Sequence, residues 1–122
     1  MKLKEVQDLL SAKIIYIKDE SALKKCIIST ACGADLMSDV LAFTKEKTLL
    51  LTGLTNPQVV RTAEMIDLAA IIFVRGKEPL SETIDLAKSK QIPLLVTDKP
   101  LYEACGLLYS AGLAAEKLTK LQ

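Results

Sequence analysis

The chain is 122 residues long, 50% hydrophobic and 25% charged, and 16 Lys+Arg against 15 Asp+Glu leave a formal charge of +1. That length is one domain, able to bury roughly two-thirds of its unfolded surface, which excludes disorder over most of the chain. A near-neutral balance with three Tyr, two Phe and no Trp lacks the basic footprint and stacking platforms of general nucleic-acid binders, so nucleic acid is not an expected partner.

Residues 3–10 place Leu3, Val6, Leu9 and Leu10 at helical spacing, one apolar stripe on a short amphipathic helix. KIIYI, 13–17, is a brief β-prone run, and ALKKCIISTA, 22–31, predicts a strand centred on Cys26, Ile27 and Ile28. In CGADLMSDVLAFTKEK, Gly33 makes a turn and Asp35 is an N-cap. Leu36, Met37, Val40, Leu41 and Phe43 follow on a helix, with Lys45 and Lys47 at its C-terminal end. TLLLTG, 48–53, is a continuous apolar run closed by glycine, as a strand buried on both faces requires.

LTNPQVVRTAEMIDL then supplies a helix with Asn56 as cap and Pro57 at its first position, and with Val59, Val60, Ala63, Met65 and Ile66 facing the core. AAIIFVRG, 69–76, is a second buried strand with the same glycine ending. The helix 80–91 buries Leu80, Ile84, Leu86 and Ala87, and IPLLVTD, 92–98, is a third strand, with Pro93 at its start. A closing helix covers 100–112; the tail, 113–122, carries Leu113, Leu118 and Leu121 in an amphipathic pattern that extends that helix, frays or docks on a partner chain. Strands alternating with helices over short connections predict a single α/β domain over 1–112, a three-layer βαβ fold on a mainly parallel sheet. The first 30 residues add to one edge or pack beside it.

No histidine is present, which removes Ser-His-Asp and Cys-His nucleophiles, His-ligated zinc and imidazole proton shuttling. No metal site and no cofactor are expected. Cys26, Cys32 and Cys105 are an odd number without the density of a secreted disulfide scaffold, which suits a reducing cytoplasm. The spacing of Cys26 and Cys32 fits neither a redox nor a zinc-ribbon motif, so both read as small core side chains. Cys32, beside a predicted helix N-terminus, is the one whose thiolate would be stabilised. The charged start MKLKEVQDLL carries no signal-peptide stretch, and no apolar run reaches the about 18 residues that span a bilayer, so no membrane partner is expected.

In open parallel sheets ligands bind beyond the carboxyl ends of the strands. Those exits here offer Thr52, Gly53 and Asn56, then Arg75 and Gly76, then Thr97 and Asp98, with Lys77, Lys99 and the stretch Ser29 to Gly33 nearby. Hydroxyls, glycines and cations in that arrangement suit a small anion or a nucleotide phosphate. Each exit also needs a turn glycine and a cap whether or not anything binds. No G-x-G-x-x-G occurs, and Gly76-Lys77 is followed by Glu78 where a P-loop requires Ser or Thr. Asp35 and Asp39 fall four apart on the predicted helix, a cap and a first-turn acid or two carboxylates offered to a cation.

CGADLMSDVLAF (32–43), the stretch from Leu49 to Pro79 and IPLLVTDKPLYEACGLL (92–108) have the order and spacing of the DRTGG-domain family, which the chain resembles from Leu3 to about Gly112. The eponymous Asp-Arg-Thr-Gly-Gly string is not present. The resemblance is to the N-terminal domain of HPr kinase/phosphorylases and to accessory modules of phosphotransacetylases and CBS-domain pyrophosphatases. It implies a regulatory or dimer-forming piece without the P-loop half, and hence no kinase activity. The reading that results is a non-catalytic, homodimeric module sensing a small anionic metabolite or nucleotide at the rim, or docking on a protein partner. Two alternatives stand beside it. One is a small enzyme for a phosphorylated or carboxylated metabolite, with Asp98 or Asp39 as acid/base and Arg75 or Lys99 stabilising an oxyanion; the other is a thiol redox sensor using Cys32.

Overall fold

The computed structural model describes residues 1–43 and 47–115. The side chain of Phe43, Lys45, and residues 116–122 of the amphipathic tail lie outside the described set. In chain order the elements are α1 (Leu3–Leu10), β1 (Lys13–Tyr16), α2 (Ala22–Lys25), β2 (Thr30–Gly33), α3 (Met37–Phe43) and β3 (Thr48–Thr52). They continue with α4 (Gln58–Met65), β4 (Ala70–Phe73), α5 (Ser81–Lys90), β5 (Leu94–Val96), α6 (Leu101–Ser110) and β6 (Ala114–Ala115). One six-stranded sheet runs in the order β1-β5-β4-β3-β2-β6. Strands β2 to β6 pair in parallel, and β1 closes the β5 edge antiparallel.

Every residue of β3, β4 and β5 is buried, as their unbroken apolar runs demand. Side chains alternate between the faces. Leu49, Leu51, Ala70 and Ile72 meet α1 through Leu3, Val6 and Leu10, and α6 through Ala104 and Leu108. On the opposite face Leu50, Ile71, Phe73 and Leu94 meet Met37 and Val40 of α3, Val59, Val60 and Ala63 of α4, and Ala87 of α5. The architecture is therefore the expected three-layer α/β arrangement. Among the described residues no helix is long and apolar enough to cross a membrane.

The N-terminal third departs from its local pattern. The strand expected over 22–31 is instead α2 followed by β2 at Thr30–Gly33. Ile28 is fully buried, but its N–H donates to the Met1 carbonyl at 2.6 Å, and Lys2 and Ile27 form an isolated bridge. Ile28 thus belongs to the core beside the chain's start while Ile27 is 44% exposed, and small residues enter the sheet beside β3, where the Thr30 and Thr48 hydroxyls lie 2.8 Å apart. Gly33 accordingly ends a strand rather than making a turn. Five expected core residues face solvent: Met65 at 73% exposure, Leu36 at 61%, Leu80 at 47%, Leu41 at 40% and Leu9 at 36%. Leu36 precedes the first turn of α3, and Leu80 flanks α5, so neither is on a helical core stripe.

Gly33 also sets how closely α6 approaches the sheet. A Cβ there would sit 2.7 Å from Cys105 Sγ and 3.3 Å from Leu101 Cδ1. Gly33→Ala is expected to destabilise the fold by about 1 kcal/mol, the lower end for overpacking because one atom has to shift. Adding Cys105→Ala should restore most of that loss in urea denaturation; a double variant no more stable than Gly33→Ala would show that this contact is not the cause.

Candidate functional site

The carboxyl ends of β3, β4 and β5 release their chain into three short loops, and hydrogen bonds tie these loops into one rim. At the β3 exit Thr52 is buried, its Oγ1 donating to Asp35 Oδ1 at 3.0 Å and accepting from the Leu54 N–H at 3.1 Å. The Gly53 N–H donates to the same Asp35 oxygen at 2.7 Å. Asp35 is therefore not the cap of α3, which starts at Met37; its carboxylate crosses from the β2–α3 loop to the end of β3. It does not share a helical face with Asp39, which sits in the first turn of α3.

Arg75 reaches the same point from β4. Its backbone is left-handed, φ 56°, as is that of Gly76, φ 65°. For a non-glycine residue that conformation costs roughly 1 kcal/mol, and it is held by the Arg75 N–H donating to the Lys99 carbonyl and the Gly76 N–H to the Thr97 carbonyl, both 2.9 Å. The guanidinium lies over Gly53, with Nη2 2.9 Å from where a Cβ would stand, while both Asp35 oxygens are 3.6 Å from that position. A Cβ at Gly53 would require the guanidinium to shift from this position. Among the described residues Arg75 makes no ion pair.

At the third exit Thr97 is 1% exposed. Its Oγ1 donates to the Leu10 carbonyl at 2.7 Å and accepts from the Lys99 N–H at 3.3 Å, fastening α1 to the rim. Asp98 is exposed, and its Oδ1 is 3.1 Å from the Cβ position of Gly76. Together with Ser11, Lys13, Glu78 and Val96 these two line a polar cavity of about 350 Å³. Lys13 Nζ bridges to Glu78 Oε1 at 3.4 Å, and Lys99 Nζ stands 3.9 Å from Glu103 Oε2.

The residues singled out from the sequence thus separate into roles. Thr52, Gly53 and Arg75 converge with Asp35, and Gly76 and Asp98 converge with Ser11 and Lys13. Thr97 spends its hydroxyl internally, and Asn56 its amide oxygen, Oδ1, which accepts from the Gln58 N–H at 3.0 Å. Thr55 links the β3 exit to α5 by accepting from Leu80 N–H and from Thr83 Oγ1. Ser11 and Lys13 carry no local signal, and Asp35 signals only a cap or a cation-facing carboxylate; all three arrive at the rim from other segments of the chain. No group of three or more Cys, Asp or Glu side chains able to hold a metal occurs among the described residues.

The thiols are differently placed from the sequence expectation. Cys32 lies within β2, opposite Leu50, and not at a helix N-terminus, so the helix-dipole argument for a stabilised thiolate does not apply. Burial pushes the Cys26 and Cys105 thiols up from their ordinary range, which keeps them protonated and poorly nucleophilic at neutral pH.

The crystal structure of the CBS and DRTGG domains of the regulatory region of Clostridium perfringens pyrophosphatase, complexed with its activator diadenosine tetraphosphate, superposes with a TM-score of 0.74 at 20% identity. The match covers 99% of this chain and 52% of that one, so the chain spans about half of that regulatory region and shares its fold. No curated protein matches the sequence. The sequence model of the DRTGG domain matches residues 5–111, and the chain belongs to the DRTGG-domain family.

Proposed function

We propose that the chain is a non-catalytic, homodimeric regulatory module of the cytoplasm that senses a small anionic metabolite or nucleotide at the rim around Gly53 and Arg75. The observation that carries this reading is Arg75 itself. Its guanidinium stands over Gly53 beside the Asp35 carboxylate and makes no ion pair among the described residues. The Arg75 fork can meet a phosphate or carboxylate bidentately. The similarity to a regulatory region that binds diadenosine tetraphosphate supports a nucleotide among the candidates. Against catalysis stand the lack of histidine and the internal use of the Thr52 and Thr97 hydroxyls.

The test is thermal unfolding against inorganic phosphate, pyrophosphate, acyl phosphates, mononucleotides and dinucleoside polyphosphates. A compound present at a hundredfold excess over its Kd stabilises by about 2.7 kcal/mol, which for a domain of this size raises Tm by roughly 10 °C. A flat response to the whole panel at millimolar concentration would overturn the anion-sensing assignment.

A further inference from the structure

We infer that the exposed face of α6 is the contact surface of the homodimer, two copies of this helix crossing antiparallel at Gly106. This rests on the dimeric state proposed above and names the surface that forms it. Tyr102 and Tyr109 are 92% and 71% exposed. They lie one turn either side of Gly106, so the three residues share one helical face. Glycine inside a helix costs about 1 kcal/mol relative to alanine. Among the described residues nothing repays that cost, because a Cβ at Gly106 would meet no atom of theirs within 4 Å. At Gly33 a Cβ would crowd Cys105, whereas at Gly106 no described residue fills the space. A close approach from another molecule gives the missing side chain a purpose.

The face is built to receive a copy of itself. A glycine notch flanked by two tyrosines at nearly equal distance is close to palindromic. A two-fold axis through the notch sets each Tyr102 against the partner's Tyr109 and brings the helix axes close at the small residue. The only charged residue in α6 is Glu103, and interface centres are poor in charge and rich in tyrosine. Beside the helix an apolar groove of about 650 Å³ runs to Gly33, Leu113 and Ala115, offering a wall against which the incoming tyrosines pack. Each tyrosine buries about 150–250 Å². Four of them across the axis supply roughly 600–1,000 Å², and the groove walls carry the total past the approximately 1,000 Å² that a specific dimer needs.

Light scattering on the full chain at micromolar concentration, with Gly106→Glu and Tyr102→Lys measured alongside, tests this. The wild type should scatter as twice 13.3 kDa. Both variants should scatter as monomers, with the dissociation constant raised at least about 100-fold by a charge placed at the centre of the contact. Unchanged circular dichroism and Tm extrapolated to the monomer would show that the fold is retained. A dimeric wild type whose variants remain dimeric overturns the α6 surface and leaves the dimeric state standing. A monomeric wild type overturns both.

Discussion

Arg75→Ala is expected to weaken binding of the compound giving the largest thermal shift by about 10–100-fold, the worth of a hydrogen bond to a charged group. Asp35→Asn is expected to act in the opposite direction. The Asp35 carboxylate already occupies the Gly53 N–H and the Thr52 hydroxyl, so an arriving anion meets a fixed negative charge beside the guanidinium it seeks. Asparagine keeps an oxygen that can accept both hydrogen bonds while removing the charge, so the loop stays and the repulsion goes. Affinity should rise several-fold, and more at low ionic strength, where exposed charges are screened least. Titration calorimetry at two salt concentrations measures both effects. Equal weakening by the two variants would mean that the anion does not bind between Asp35 and Arg75.

Thr97→Val should cost about 1–3 kcal/mol of stability, roughly 5–10 °C in Tm, although it preserves the shape of the side chain. The Leu10 carbonyl ends α1 inside the protein, and the Thr97 hydroxyl donates to it at 2.7 Å across a sequence separation of 87. Valine leaves that acceptor and the Lys99 N–H without their partner. Thr97→Ser keeps the hydroxyl and loses only a methyl group, so it should recover most of the difference. Urea denaturation of the pair decides the matter: a serine variant as unstable as the valine one would assign the loss to packing instead.

How legible the fold was follows from where each signal is stored. The runs TLLLT, AIIF and LLV announce central strands because burial on both faces leaves no room for polar residues. The helices after them were equally readable from spacing and from Pro57 and Pro100 at their starts. Cys26-Ile27-Ile28 misled for the converse reason: its backbone pairs with Met1 and Leu3, and Ile28 and Cys26 pack into the core there, partners that no window around residue 27 contains. Asp35 looked like a cap because a local reading can pair a carboxylate only with the helix that follows; its partners are on β3. The Arg-Gly pair at 75 and 76 did mark a tight exit, but the left-handed backbone at Arg75 depends on Lys99 and Thr97, which arrive from β5. What the sequence conceals at this rim is which loops meet, since that is decided by strand order.

The antiparallel strand β1 also has a meaning for the order in which the chain folds. Strands β2 to β5 each join a partner separated from it by a single crossover, short closures whose entropic cost is modest. Strand β1 has no place until β5 exists, and its register from Lys13 opposite Val96 to Tyr16 opposite Leu94 joins the two ends of the chain. Contacts of such high contact order come after the local ones they depend on. The α1–β1 segment is therefore expected to act as a latch added to a sheet already assembled, with Leu3, Val6 and Leu10 covering one face. Interactions that hold a latch of this kind, Thr97 to Leu10 above all, act chiefly on the rate of unfolding and leave the rate of folding nearly untouched.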